Sequence, residues 1–343
     1  MDRALAVILA GVGPDAERDA YPGAVAAVAR NGRLAALEAY GWAALAPDPV
    51  PLAPDAVFDV ASITKVAVTT PSILLLLERG ALSLEDQLER FFPELSGRSL
   101  GQARVSHLLT HTAGLPNWFP LAAEAPRCGG VLQALAAAPL AAGFGERVEY
   151  SCAGFILLGL LVERLTGEGL STFAAREVLL PLGLTETTYL PLDRPVPESL
   201  RPRLVPTEVR LLTDRGRELA EAMRQRGAWL DEWAARHPEG LARGVADDEN
   251  AAYLGGVAGN AGLFSTAPDL LAYGQAWLDL RAAKRTDRLL SPATAAVATR
   301  NWTAGREENR GLGWQLPGPG SSLGDRMSPS SFGHSGFTGT GLW

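Results

Sequence analysis

Lysine is nearly absent from this sequence. Of 31 basic Lys and Arg side chains only two, Lys65 and Lys284, are lysine. Cysteine is also scarce. Cys128 and Cys152 are the only two, too few for a disulfide framework, and nothing else points to an oxidising compartment. An excess of positive charge is lacking as well. The formal net charge is −7, which argues against a general nucleic-acid surface, since phosphate binding wants a basic face. Long apolar runs are missing too. "SILLLLERG" falls far short of the roughly 20 apolar residues that a membrane span needs. The opening "MDRALAVILAGVG" has one basic residue, offset by Asp2. No small-x-small cleavage site precedes the acidic "PDAERDA", so a signal peptide is not expected. These absences together describe a soluble, cytoplasmic protein with no nucleic-acid partner and no membrane span.

What is present fits a globular catalytic unit. The 343 residues are 47% hydrophobic and 20% charged, enough for one large domain or two intertwined ones. A short helix is expected over 3–12. Two apolar runs flank Asn31-Gly32, a dipeptide suited to a type I′ turn, so Gly23 to Ala43 reads as a hairpin. "SITKVAVTTPSILLLLERG" reads as an apolar helix ending at Gly80. "LSLEDQLERFFPEL" has a capping-box pattern at Ser83 and Asp86. "YSCAGFILLGLLVERLTGEGLSTFAAREVLLPLGL" reads as helix, break, helix. Leu219, Met223, Leu230 and Trp233 lie at helical spacing in an extra helix over 213–236. "AGLFSTAPDLLAYGQAWLDL" opens with helix-start chemistry. "GLGWQL" and "FGHSGFTGTGLW" read as strands split by a Gly/Pro/Ser-rich loop over 317–331. Strands at both ends with helices between them imply an α/β (α+β) fold. Its antiparallel sheet subdomain takes residues 1–61 and 300–343, and a mainly helical subdomain takes 62–299.

The rarity of lysine makes Lys65 informative. If Ser62 stands in the first turn of a helix, Lys65 lies on the same face, three residues on. A serine hydroxyl is a weak nucleophile until a base takes its proton. Lysine can be that base if its surroundings lower its pKa; arginine cannot. Ser-x-x-Lys also recurs by chance in many proteins, so two further stretches matter. Tyr150 in "VEYSCAGF" just precedes a helix start and could relay protons beside an ammonium, although most tyrosines are packing residues. His334 lies in the glycine-rich "FGHSGFTGTG", where the backbone can approach a ligand. It could carry a proton or act as an electrostatic partner, or be a surface histidine at a strand edge.

With these sites in order, the chain resembles the serine β-lactamase and penicillin-recognising family, in its class C β-lactamase, D-aminopeptidase and serine-esterase branch. The motifs are Ser62-Ile63-Thr64-Lys65, Tyr150-Ser151-Cys152 and His334-Ser335-Gly336. "HLLTHTAGLP", "GFILLGLLVERLTG", "PLGLTETTY", "GLFSTAPDL" and "GHSGFTGT" fit as well. The resemblance implies that Ser62 is the acylated nucleophile and that Lys65 and Tyr150 share acid and base duty. His334 would stand where a lysine is usual. The backbone N–H groups of Ser62 and Phe337 would form an oxyanion hole, with Ser335, Gly336 and Cys152 lining the substrate site. No cofactor or metal is implied. Cys152 departs from the usual Asn or Asp, which weakens the case for an amide substrate. As a rival nucleophile it lacks an obvious base nearby in sequence. Asp247 and Asn260 stand where some relatives carry histidines, with no evident role, and His107 and His111 read as structural. The chain stops at Trp343, one short strand after the third motif, where the family continues with further strands and a C-terminal helix. The expected activity is an esterase on small carboxylic esters. The alternatives are a β-lactamase or D-amino-acid peptidase, which would take an amide substrate, and a ligand-binding relative without catalysis.

Overall fold

The hairpin forms around Asn31 and Gly32, whose φ angles of 54° and 72° are both left-handed, as a type I′ turn requires. In this computed structural model, residues 12–13, 21–45, 48–207, 243–284, 289–323 and 326–343 are described. The helix expected over 213–236, and all but Val12 of the one over 3–12, lie outside them. Strands β1 (Gly23–Arg30) and β2 (Arg33–Ala44) pair antiparallel, and β3 (Val50–Pro51) adds to the end of β2. Strand β4 (Phe58–Asp59) leads into the Ser62 segment. A π-helical turn over Lys65–Thr69 then runs into α1 (Thr70–Glu78).

The segment after α1 departs from expectation. Half of the capping box forms, with the Ser83 N–H donating to Asp86 Oδ2 at 2.7 Å. The chain continues as 3₁₀ turns at Leu88–Arg90 and Pro93–Leu95 instead of an α-helix. Pro93 has no N–H to donate and bars Phe92 from the helical region. Backbone bonds go sideways instead, Leu88 N to Ala103 O at 2.9 Å and Val105 N to Asp86 O at 3.0 Å.

Helices α2 (Val105–Leu109), α3 (Leu121–Cys128) and α4 (Val131–Ala137) precede α5 (Cys152–Thr166) and α6 (Leu170–Ala174). Strand β5 (Thr188–Tyr189), α7 (Glu249–Tyr253), β6 (Leu263–Ser265), α8 (Ala267–Arg281) and α9 (Pro292–Ala298) follow. The chain closes with β7 (His334–Ser335) and β8 (Gly341–Leu342). Helices α1 and α5 carry apolar residues all round, so they run through the core, and ten residues of α5 are buried. The fold class is the expected α/β one. Its strands are divided among three short antiparallel ladders, β1-β2-β3, β4-β6-β5 and β7-β8. Helix α8 packs on both β1 and β8. "GLGWQL" makes isolated bridges, Arg310 to Gln315 and Gln315 to Gly333, where a strand was expected. Gly313, with φ of 78°, breaks the extended run, and a Cβ there would meet Thr70 Oγ1 at 2.1 Å. Trp314 instead seals the core, its ring centroid 5.0 Å from both Trp277 and Phe332. No helix among the described residues is long and apolar enough to cross a membrane.

One backbone approach ties this core to the Ser62 region. Gly259 lies against α5 so closely that a Cβ on it would sit 2.1 Å from Phe155 O. Its carbonyl accepts from Thr69 Oγ1 at 2.6 Å. Gly259→Ala must push the neighbouring Asn260 backbone away. Overpacking of this kind costs about 1–3 kcal/mol, read as a lowered midpoint in urea unfolding; an unchanged midpoint would contradict so tight a contact.

Candidate active site

Ser62 follows a strained residue. Ala61 has φ of 45°, a left-handed conformation uncommon for alanine. The N–H groups of Ile63, Thr64 and Lys65 turn back onto the carbonyls of Val60, Ala61 and Ser62, each at 3.0 Å. Ser62 therefore stands just ahead of the helix. Lys65 opens the π-helical turn, and its carbonyl accepts from Thr70 N, five residues on. The wider turn leaves Val66 O to accept from the Tyr273 hydroxyl. Single π turns often mark functional sites.

Lys65 is wholly buried. Its Nζ donates to Ser62 Oγ at 2.9 Å and to Asn260 O at 2.9 Å, and it lies 3.4 Å from Cys152 Sγ. These contacts use all three ammonium donors. Asn260, whose role the sequence left open, holds the ammonium through its backbone. Cys152, which has no basic group near it in sequence, has the Lys65 ammonium beside it.

Tyr150 is positioned by "HLLTHTAGLP". His111 Nδ1 accepts from Ser151 N at 3.0 Å, and His111 O accepts from Glu149 N at 2.8 Å. The Ser151 hydroxyl caps α5, accepting from Gly154 N at 3.2 Å, and donates to Pro116 O at 2.8 Å. Tyr150 is held between these anchors. Its ring centroid lies 4.6 Å from that of His111 and 5.9 Å from that of His334, and 5.1 Å from Lys65 Nζ. His107 caps α2, its Nδ1 accepting from Arg104 N at 3.1 Å.

The third motif is fastened to the segment before Ser62. Thr338 Oγ1 donates to Asp59 O at 2.7 Å and Thr340 Oγ1 to Val60 O at 3.2 Å. Gly336 passes so close that a Cβ on it would meet Val60 O at 2.6 Å. Phe337 follows it with its side chain 84% exposed. Among the described residues no backbone acceptor pairs with the N–H of Ser62 or of Phe337. Ser335 O takes a bond from His334 Nδ1 at 2.7 Å. A carbonyl only accepts, so Nδ1 carries the proton and Nε2 presents a lone pair. That Nε2 is buried and, among the described residues, has no hydrogen-bond partner.

Two expectations about charge need correction. Lys65 was to have a lowered pKa. Burial does pull it down as the largest influence, but the electrostatic influence of Cys152, Tyr150 and the Asp248 carboxylate raises it above the ordinary value. At rest Lys65 is an ammonium. His334 was to be a proton carrier or electrostatic partner. Burial first, then the charges of Arg310 and Lys65, push its pKa down to about 3, so it is a neutral imidazole near pH 7. His111 is likewise held well below the ordinary value by burial, Arg310, Lys65 and His334.

Arg310 is the residue that sequence reading missed. It is 4% exposed. Its Cζ lies 5.4 Å from the Tyr150 ring centroid, and Nε donates to Glu308 Oε2 at 2.7 Å. Two buried cations, Lys65 and Arg310, thus flank Tyr150. In a chain that writes nearly every positive charge as arginine, nothing marked this one out.

The histidine shifts set a sign. The folded chain binds these protons more weakly than the unfolded chain. Their contribution to stability is therefore present above the unfolded pKa of about 6.5 and lost as pH falls towards 3. NMR titration of the His334 ring should show it neutral down to pH 4. Arg310→Gln should move the midpoint up towards the ordinary value, and a native midpoint near 6.5 would refute the charge assignment.

With this geometry described, comparison with known proteins is informative. The chain is 28% identical over 355 residues to the N-acetylmuramyl-L-alanine amidase of Bacillus subtilis, covering 94% of this chain and 75% of the relative. It resembles the octameric penicillin-binding protein homologue from Pyrococcus abyssi, with a TM-score of 0.64 and 22% identity. It also resembles the β-lactamase/D-alanine carboxypeptidase from Pseudomonas syringae, with a TM-score of 0.61 and 22% identity. These matches cover 93% and 84% of this chain, but only 65% and 68% of the two solved chains. The Beta-lactamase family model matches residues 12–343, nearly the whole sequence. The chain therefore belongs to the Beta-lactamase family of serine hydrolases.

Proposed function

We propose that the chain hydrolyses small carboxylic esters through an acyl-enzyme on Ser62. The observation that carries this reading is the 2.9 Å contact between Ser62 Oγ and the buried Lys65 Nζ. Ser62 Oγ attacks the ester carbonyl, and the backbone N–H groups of Ser62 and Phe337 receive the developing oxyanion. An ammonium cannot accept the serine proton. Lys65 and Tyr150 therefore act as a coupled pair, which takes the proton in the state that holds one proton fewer. The same pair returns it to the departing alkoxide. Water then enters, loses its proton to the pair and attacks the acyl carbonyl; the bond to Ser62 Oγ breaks, the pair returns the proton to that oxygen, and the acid leaves. His334 Nε2, a lone pair near the Tyr150 ring, can accept a hydrogen bond during these transfers.

Cys152 supports esters over amides. A thiol is a poor donor to an amide carbonyl, and Sγ already faces Lys65 Nζ at 3.4 Å. The second reading is a peptidase or β-lactamase. It draws on the relative named as a cell-wall amidase and on the solved structure named β-lactamase/D-alanine carboxypeptidase.

Ser62→Ala should abolish p-nitrophenyl ester turnover; wild-type turnover in that variant sinks the proposal. Lys65→Arg keeps the charge but not a usable base, and should lower kcat by roughly 10²–10⁴-fold. Turnover of nitrocefin or a D-amino-acid amide at rates above those for esters would favour the second reading. Absence of any covalent adduct at Ser62 would favour a binding protein without catalysis.

A further inference from the structure

Asp59, in β4, is 2% exposed and is none of the reacting groups described above. Its carboxylate nevertheless holds two pieces of the site. Oδ1 accepts from Ala61 N at 2.8 Å, and Oδ2 accepts from Asp247 N at 2.6 Å. Its backbone carbonyl accepts from Thr338 Oγ1 at 2.7 Å. One residue therefore joins the turn before Ser62, the segment that runs on towards Asn260, and the loop that carries Phe337. The turn is also where the backbone is strained, since Ala61 has φ of 45°, and such a conformation persists only when its surroundings hold it.

We propose that Asp59 is a positioning residue for Ser62, its carboxylate clamping the strained Ala61 turn to the Asp247 segment. This rests on the reading of Ser62 as the nucleophile. The clamp needs two acceptors for two N–H donors. A carboxylate has both. An asparagine has only one and turns an NH₂ towards the other N–H, and a protonated carboxyl meets one of the two with a hydroxyl oxygen, a weaker acceptor. Either change loosens one side of the clamp, and the Ser62 hydroxyl and N–H shift with the turn.

The clamp is also sensitive to pH. Burial, the largest influence, pushes the Asp59 pKa up; the two N–H bonds pull it down; and the Asp247 and Asp248 carboxylates raise it further, to about 7. The groups facing it are thus Asp247 and Asp248 from their segment, Ala61 N–H from the turn and Thr338 from the third-motif loop. The native protein loses the clamp as pH falls through about 7. Asp59→Asn resembles the acid form at every pH.

The test is the rate at which a fluorophosphonate probe modifies Ser62 between pH 5 and 9, with the adduct located by mass spectrometry. Asp59→Asn should label about 10–100-fold more slowly at pH 8, since small misplacements of a reacting group have effects of that order. The fall in rate near pH 7 should vanish in that variant. Adding Ala61→Gly should restore part of the rate, because glycine adopts φ of 45° without a clamp. Native rates and an unchanged pH profile in Asp59→Asn overturn this proposal alone. No Ser62 adduct in the native protein removes the nucleophile reading and this proposal with it. If Asp59→Asn does not fold, Ala61→Gly alone decides: the fall in rate below pH 7 must shrink, and an unchanged fall overturns the proposal.

Discussion

A single buried ammonium organises this molecule. Lys65 Nζ has lost its water entirely, and an unpaired charge in such a place would be untenable. Its contacts come from three stretches of chain: Ser62 from its own segment, the Asn260 carbonyl, and Cys152 at the start of α5. The Gly259-Asn260 backbone that supplies one of these partners lies directly against α5 and the π turn, with no room for a Cβ on Gly259. It also explains how the helical part of the chain and the loop before β6 come to share one site.

Around that ammonium the charges are arranged by exclusion. Two imidazoles, His111 and His334, lie near it, and both stay neutral because burial and the two cations oppose a third positive charge. Their neutrality makes each a hydrogen-bonding group of fixed direction. His111 accepts from Ser151 N and so holds Tyr150 in place. His334 donates from Nδ1 and leaves Nε2 as an acceptor. Arg310, paired with Glu308, supplies a second positive charge near the Tyr150 ring without being able to lose its proton.

Much of the local structure was legible because short-range chemistry dictates it. Asn31-Gly32 makes its turn, and Thr266 and Ser151 cap α8 and α5. The Ser62–Lys65 pair was legible too: although Ser62 stands just ahead of the helix and not in its first turn, the separation of three residues still brings the two side chains together. What was not legible depends on distant chain. The sign of the Lys65 shift is set by Cys152, Tyr150 and Asp248, far away in sequence. Arg310 has no local signature, and Asp59 reads as an ordinary polar residue of a strand. The failed helix after Ser83 shows the opposite case: a correct local pattern at Ser83 and Asp86 gives way to Pro93 and to bonds reaching residues 103–105.

The same sharing of donors gives Cys152 a different place from the one an asparagine would take. The Lys65 ammonium has three donors, and the third points at Cys152 Sγ, a weak acceptor. An amide oxygen in that position would accept more strongly from Lys65 and would also bring an NH₂ group to offer a substrate. The thiol does neither. It fills the space with a small apolar group and leaves the charge of Lys65 less firmly occupied. The two stronger acceptors of the ammonium are then Ser62 Oγ and Asn260 O, each at 2.9 Å. The surroundings of Cys152 and of Ser62 are therefore linked, because both side chains share the donors of one buried lysine.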